Sequence, residues 1–175
     1  MAMKQNDTSL SYPSTDTVLK NARMLAPVAS ARIGEMKSIS DFIYYSLIFQ
    51  DMAPWAASLF EKLALTEMRH YQLLGRLSLC LGGNPVLRVR LSDTPLPSPP
   101  EPLVLCLKKA LTEALSAERA AYRHYAKMKA DFAYDPAAEA LLERIALDEE
   151  HHIRMLTHAL SEWAESEAED APSSD

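Results

Sequence analysis

The chain has 175 residues, of which 48% are hydrophobic, and a formal net charge of −6 at pH 7. This length suits one domain with a full hydrophobic core. The negative charge argues against nucleic acid or an anionic membrane surface as the main partner. No apolar run reaches the length of about 18 residues that a membrane span needs, and no N-terminal stretch has the pattern of a secretion signal. We therefore expect a cytoplasmic protein.

The amino-acid usage is typical of an all-helical fold. Only four Gly occur, while Ala, Leu and Glu are abundant and no sustained alternation of apolar and polar residues is present. Cys80 and Cys106 lie within apolar helical pattern and form no Cys-x-x-Cys pair. We expect them to be buried free thiols in a reducing compartment.

The first half of the chain predicts an arm followed by two helices. Residues 1–26 are largely polar and predict a mobile arm. A helix over 27–50 begins with a proline, which suits a first turn. Asp51 is a good N-cap for a second helix, which the pair Gly82-Gly83 ends.

The second half predicts a long connector, two further helices and a tail. Residues 83–101 contain five prolines and cannot form a helix. The third helix follows over 102–130. The pair Asp135-Pro136 provides an N-cap and first-turn residue for the fourth helix, over 136–164. The acidic tail, residues 165–175, is expected to be mobile.

The main functional signal is a pair of Glu-x-x-His motifs, each preceded by another Glu on a helical apolar stripe. The residues are Glu35, Glu67 and His70 in the first half, and Glu118, Glu149 and His152 in the second. In an α-helix, residues three apart lie on one face, so each motif can aim a carboxylate and an imidazole at one point. A single such motif is weak evidence. Two copies of the motif, each preceded by its own additional Glu, predict a shared site.

The spacing also predicts that the four Glu residues lie at one height. At 1.5 Å per residue, Glu35 and Glu67 each lie about 23 Å from the turn between their helices, and Glu118 and Glu149 each lie about 20 Å from theirs. In antiparallel hairpins, both pairs are therefore level.

The connector between the second and third helices favours one long crossover. Neighbouring helix ends need only about two to eight residues. The nineteen residues present, stiffened by prolines, can run the length of a helix, about 45 Å. The predicted fold is an all-α four-helix bundle over residues 27–164, with two antiparallel hairpins joined by the crossover.

Buried charge of this kind predicts metal binding. Four carboxylates and two imidazoles would strongly destabilise an apolar core if left unpaired. The basic residues Arg69, Arg119, Arg144 and Lys127 fall off the buried stripes. Two divalent cations would balance four carboxylates, and oxygen ligands with one imidazole per metal suit iron or manganese.

Nearby polar residues offer alternatives to these assignments. Glu113 falls one step off the buried stripe of its helix, so Glu118 is favoured as the ligand. Asp148 and His151 also stand three apart, on a face that places them beside the ligands or at the surface. Tyr125 is placed to hydrogen-bond a ligand carboxylate from across the bundle, with simple core packing as the alternative.

Three stretches carry a family resemblance. They read E-M-K-S-I-S-D-F from Glu35, T-E-M-R-H…L-G-G-N-P from Thr66, and A-L-L-E-R-I-A-L-D-E-E-H-H-I-R-M-L from Ala140. Over about residues 27–160, the chain resembles the ferritin-like superfamily, whose members combine two Glu with two Glu-x-x-His motifs. It looks most similar to rubrerythrin-like and bacterioferritin-like proteins.

The resemblance implies a bridged di-iron or di-manganese centre that reacts with dioxygen or hydrogen peroxide. The implied roles are terminal ligands for Glu35 and Glu118, bridging ligands for Glu67 and Glu149, and one nitrogen ligand per metal for His70 and His152. Iron storage and a structural metal-binding module of a larger assembly are the alternatives.

Departures from the family pattern refine these expectations. The Cys-x-x-Cys iron module of rubrerythrins is missing, which implies an external electron donor, and an additional carboxylate of their third helix is Ala121 here. Met68 matches the haem-binding residue of bacterioferritins, but ordinary packing is the simpler interpretation and no haem is expected. Apolar side chains such as Trp55, Leu81 and Val104 favour a homodimer.

Overall fold

The computed structural model describes residues 15–86 and 103–169, with side chains over 22–86 and 107–166. Within these ranges the chain forms four helices and no strands, which confirms the all-α prediction. The helices are α1 (Thr15–Ile48), α2 (Pro54–Cys80), α3 (Leu103–Asp131) and α4 (Pro136–Glu169). No helix in the described part of the chain is long and apolar enough to cross a membrane.

The helix directions confirm the predicted topology. α1 packs along α2, and α3 packs along α4. Near the end of α1, Tyr45 contacts Glu113 at the beginning of α3, while Glu35 contacts Tyr125 further along α3. α1 is thus antiparallel to both α2 and α3, so α2 and α3 run in the same direction. The predicted crossover connector itself lies mostly outside the described residues.

The core consists of two apolar clusters separated by a polar layer. Members of the first cluster include Phe42, Phe49, Phe60, Leu63, Leu111 and Leu156. Members of the second include Val28, Leu74, Leu77, Phe132, Leu142 and Ile145. Each fully buried Leu or Phe side chain stabilises the fold by about 1.5–3 kcal/mol. Along every helix, the predicted metal ligands fall between residues of the two clusters.

The predicted start of the first helix was wrong. α1 begins at Thr15, and Pro27 lies inside it. An internal proline removes one helical hydrogen bond, but Met24 and Leu25 pack against the second cluster. Leu25 also lies so close to Gly83 that a Cβ there would clash with it. Tertiary packing therefore carries the helix past the proline, and only residues 1–14 of the predicted arm lie outside the described residues.

The predicted N-cap of the second helix was also wrong. Asp51 lies in a turn, Ala53 occupies the N-cap position without a side-chain cap, and the helix begins at Pro54. Phe49 and Ala53 are both buried in the first cluster. Their burial fixes the path of the turn and places the proline, which needs no N–H partner, in the first helical turn.

The structure confirms that Gly82-Gly83 ends the second helix. It also shows that Leu81, predicted to be an exposed apolar residue at a dimer contact, is buried. Gly82 adopts a φ of 80°, and the Gly83 N–H donates back to the last turn of α2. This reversal turns Leu81 into the second cluster, where it is 1% exposed. Trp55 is 45% exposed, whereas the side chain of Val104 lies outside the described ranges.

The fourth helix has the predicted cap. Asp135 Oδ1 accepts hydrogen bonds from the backbone N–H groups of Ala137 and Ala138, each at 3.1 Å. Replacing Asp135 with Ala should lower the free energy of unfolding by about 1 kcal/mol. Asp51→Ala is the matched control and should change it by less than about 0.5 kcal/mol. Chemical denaturation measures both, and equal effects would contradict the cap assignment.

Candidate metal centre

All six predicted ligand residues meet in one buried layer at the middle of the bundle. None is more than 4% exposed. They form two overlapping groups in which one ligand atom from each residue lies within 4.8 Å of the others. The first group is Glu35, Glu67, His70 and Glu149, and the second is Glu67, Glu118, Glu149 and His152. Glu67 and Glu149 belong to both groups, as the two central carboxylates of a dinuclear centre would.

Both imidazoles turn Nδ1 towards the carboxylates. His70 Nδ1 lies 3.1 Å from Glu67 and 3.2 Å from Glu149. His152 Nδ1 lies 3.0 Å from Glu67 and 3.3 Å from Glu118. Helical three-residue spacing thus places one nitrogen donor in each group, as the sequence predicts.

Two residues outside the six contact them. Tyr125 donates its hydroxyl to Glu35 in the buried interior, so it does more than pack in the core. Asp148 lies 3.4 Å from Nε2 of His70 and 3.2 Å from Nε of Arg144. An acceptor at Nε2 keeps Nδ1 of His70 directed at the carboxylates.

These outer contacts make the two groups unequal. Both Tyr125 and Asp148 support members of the first group. In the other half of the chain, Phe42 stands seven residues after Glu35 and has no hydroxyl. Thr66 precedes Glu67, and its hydroxyl donates to the Lys62 carbonyl of the same helix. The first group therefore has two outer contacts that the second group lacks among the described residues.

A buried cation was missed in the sequence analysis. Arg32 is 8% exposed, and its guanidinium lies 4.3 Å from the centre of the Tyr71 ring and donates to the Pro85 carbonyl. It connects α1 to the end of α2 and does not neutralise the layer. The sequence does contain a signal for this burial. Arg32 lies four residues after Val28 and three before Glu35, which places it on the buried face of α1.

Three carboxylate oxygens in the layer fit a bound cation. Glu67 Oε1 and both oxygens of Glu149 are buried and have no hydrogen-bond donor among the described residues. Each lies 3.0–3.4 Å from an imidazole Nδ1, but not in a direction that makes a hydrogen bond. A buried acceptor left unsatisfied costs about 1–3 kcal/mol. Divalent cations would satisfy these oxygens, and the shared Glu residues are the ones that carry them.

The carboxyl groups divide into two protonation classes. Burial, together with contact with Glu67, raises the pKa of Glu35 to about 11. Burial likewise raises the pKa of Glu118, and contact with Glu149 adds to the shift. Burial also acts to raise the pKa of Glu67 and Glu149, but close contact with the other two Glu and with the imidazoles lowers it below the ordinary value. At pH 7, Glu35 and Glu118 are therefore neutral acids, and Glu67 and Glu149 are carboxylates.

The imidazoles complete the charge balance. Burial acts to lower the pKa of both rings. Contacts with Asp148, Glu149 and Glu67 nevertheless raise the pKa of His70 to about 12. Contacts with Glu118, Glu149 and Glu67 raise the pKa of His152 to about 11. Two imidazolium ions therefore offset two carboxylates. Two divalent cations with four carboxylates and neutral imidazoles give the same zero net charge.

The chain matches the rubrerythrin family over residues 28–160, which include the whole polar layer. The chain belongs to the rubrerythrin family. The family assignment agrees with the ferritin-like resemblance of the three sequence stretches. Comparison with curated proteins gives no match.

Solved structures with similar folds are ferritin-like proteins. A dodecameric thioferritin, the bacterioferritin-related protein of Bacteroides fragilis, is 22% identical with a TM-score of 0.73, covering 86% of this chain and 91% of that one. The Desulfovibrio desulfuricans bacterioferritin, which has a di-iron site, is 18% identical with a TM-score of 0.70, covering 85% and 84%. The Rhodobacter capsulatus bacterioferritin is 19% identical with a TM-score of 0.65, covering 89% of each chain. These likenesses confirm the ferritin-like bundle.

The protonation pattern predicts proton release on metal binding. Metal ligands must be deprotonated, so two equivalents of Mn²⁺ added at pH 7 should release about four protons per chain, two from Glu35 and Glu118 and two from the imidazoles. A pH indicator in weak buffer measures the release. Affinity should fall as the pH decreases, because protons compete for the same atoms. Metal binding without proton release would contradict the pattern.

Proposed function

We propose that the polar layer binds two iron or manganese ions and that the protein uses them to react with dioxygen or hydrogen peroxide. The observation that carries this proposal is the overlap of two four-residue groups at Glu67 and Glu149. The proposed roles are bridging ligands for Glu67 and Glu149, terminal ligands for Glu35 and Glu118, and Nδ1 ligands for His70 and His152. When bound, such ions supply electrons and Lewis-acid positions for the oxidant.

The chain itself supplies geometry and a water-poor environment. The apolar clusters close the layer at both ends, with Phe42 and Leu63 on one side and Leu74 and Ile145 on the other. Electrostatic interactions are stronger in such surroundings than in water. Tyr125 fixes one oxygen of Glu35 by its hydroxyl hydrogen bond. Together these contacts hold the donor atoms close before any ion arrives.

The proposal includes an electron donor from outside the chain. The sequence has two cysteines and no Cys-x-x-Cys pair, and Cys80 is a half-buried free thiol. A cytoplasmic location and self-association, with the exposed Trp55 at a contact, are part of the same proposal. Iron storage is the second candidate function, favoured by the structural likeness to the dodecameric thioferritin.

Removing both shared carboxylates tests the ligand roles. The double variant Glu67→Ala, Glu149→Ala should lose binding of both metal ions, because each four-residue group loses two donors. Metal content per chain is measured by elemental analysis after loading and desalting. The control Glu61→Ala, Glu150→Ala removes two exposed carboxylates from the same helices and should bind metal like the wild type. Two metals per chain in the first variant would refute the assignment.

Turnover separates the candidate functions. With ferrous iron and a reductant, a redox enzyme should consume dioxygen or peroxide repeatedly at low iron content, as measured by an electrode. A storage protein should instead accumulate many irons per chain, and a structural module should bind two metals without turnover. The Glu67→Ala, Glu149→Ala variant gives the rate of the uncatalysed reaction. Wild-type consumption no faster than this variant would contradict the redox proposal. Elemental analysis of the protein as purified distinguishes iron from manganese.

A further inference from the structure

A cleft of about 700 Å³ opens between α1 and α3 and reaches the polar layer. Glu35, Glu67, Glu118 and Glu149 form its inner end. α1 and α3 pack less closely against each other than each packs against its hairpin partner. The centre therefore has an approach from one side of the bundle.

Small side chains line both walls of the cleft. Gly34 and Ser38 lie on the α1 wall, and Ala114, Ala117 and Ala121 lie on the α3 wall. Larger residues at these positions would fill the space between the helices. Small residues on both helices therefore contribute to the width of the cleft.

Gly34 lies beside the open space of the cleft. It lies inside α1, next to Glu35, and a Cβ added there would meet no atom within 4 Å. A glycine within a helix destabilises it by about 0.5–1 kcal/mol relative to alanine. Neither backbone conformation nor a close neighbour requires glycine here. A larger side chain at this position would extend into the open space beside Glu35.

The cleft is larger than the proposed oxidants require. One water molecule occupies about 30 Å³ in the liquid, and dioxygen and hydrogen peroxide are of similar scale. The cleft volume of about 700 Å³ lies within the range of about 300–1,000 Å³ that is typical of organic ligand sites. The volume therefore fits an organic molecule in addition to the oxidant.

The charges of the rim disfavour an anion. Lys37 pairs with Asp41, and Glu113 accepts a hydrogen bond from Tyr45 at 3.1 Å. The rim cation is thus already paired, and an anion would meet Asp41 and Glu113 before reaching more carboxylates. Between rim and layer, the walls offer mainly apolar surface, including Phe42.

We propose that the cleft between α1 and α3 binds a neutral, mainly apolar organic molecule that lies against the carboxylate layer. That this molecule is a second substrate of the centre rests on the proposed function. Its binding depends instead on the small residues of the cleft walls, so an experiment can refute either proposal without refuting the other.

The test uses the full chain loaded with Mn²⁺ and the neutral fluorescent probe N-phenyl-1-naphthylamine. Wild-type protein should bind the probe saturably at one site per chain. Gly34→Phe and Ala117→Leu fill opposite walls and should each weaken binding at least tenfold. Ala126→Leu adds similar bulk at an exposed position of α3 outside the cleft and should bind within twofold of the wild type.

Metal content, far-UV circular dichroism and light scattering accompany each titration. The cleft proposal would be overturned if the wild type failed to bind the probe saturably. It would also be overturned if the two wall variants bound the probe as tightly as the wild type. A wall variant that dissociates a wild-type oligomer would also overturn it, because a second copy of the chain would then be the occupant. Probe binding without metal binding would leave the cleft standing and refute the dinuclear function.

Discussion

The structure depends on a layer of opposed charges buried between two apolar clusters. Four carboxyl groups and two imidazoles lie within contact distance at mid-bundle, where none of them is more than 4% exposed. Without metal, the layer reaches neutrality by protonation of Glu35 and Glu118 and of both imidazoles. With two divalent cations it is neutral again. The same side chains can therefore be buried in either state, which couples folding to metal and proton binding.

The internal repeat has the same candidate ligand types in both halves but different residues around them. Each half provides Glu and Glu-x-x-His, yet Tyr125 and Asp148 both support the group that contains Glu35 and His70. The corresponding residues of the other half, Phe42 and Thr66, make no such contact among the described residues. Outer contacts of this kind influence ligand orientation and metal affinity. The two metal positions of the proposed centre are therefore chemically distinct.

Membership of the rubrerythrin family and likeness to bacterioferritins agree with the four-helix bundle. The cleft between α1 and α3 is lined by Gly34 and by alanines on α3. The fold supplies rigid helices that hold the donor atoms. Small residues on one pair of those helices decide which molecules can approach them.

The sequence by itself determined the helical class, the crossover and the level of the candidate ligands, because all three follow from spacing along single helices and from connector length. It located the cap at Asp135 for the same local reason. Only the tertiary structure decided that α1 begins at Thr15, that Leu81 is buried and that Arg32 connects two helices. The cleft likewise appears only when α1 and α3 are placed together. These features depend on which surfaces meet, and contacts between distant segments override local propensity.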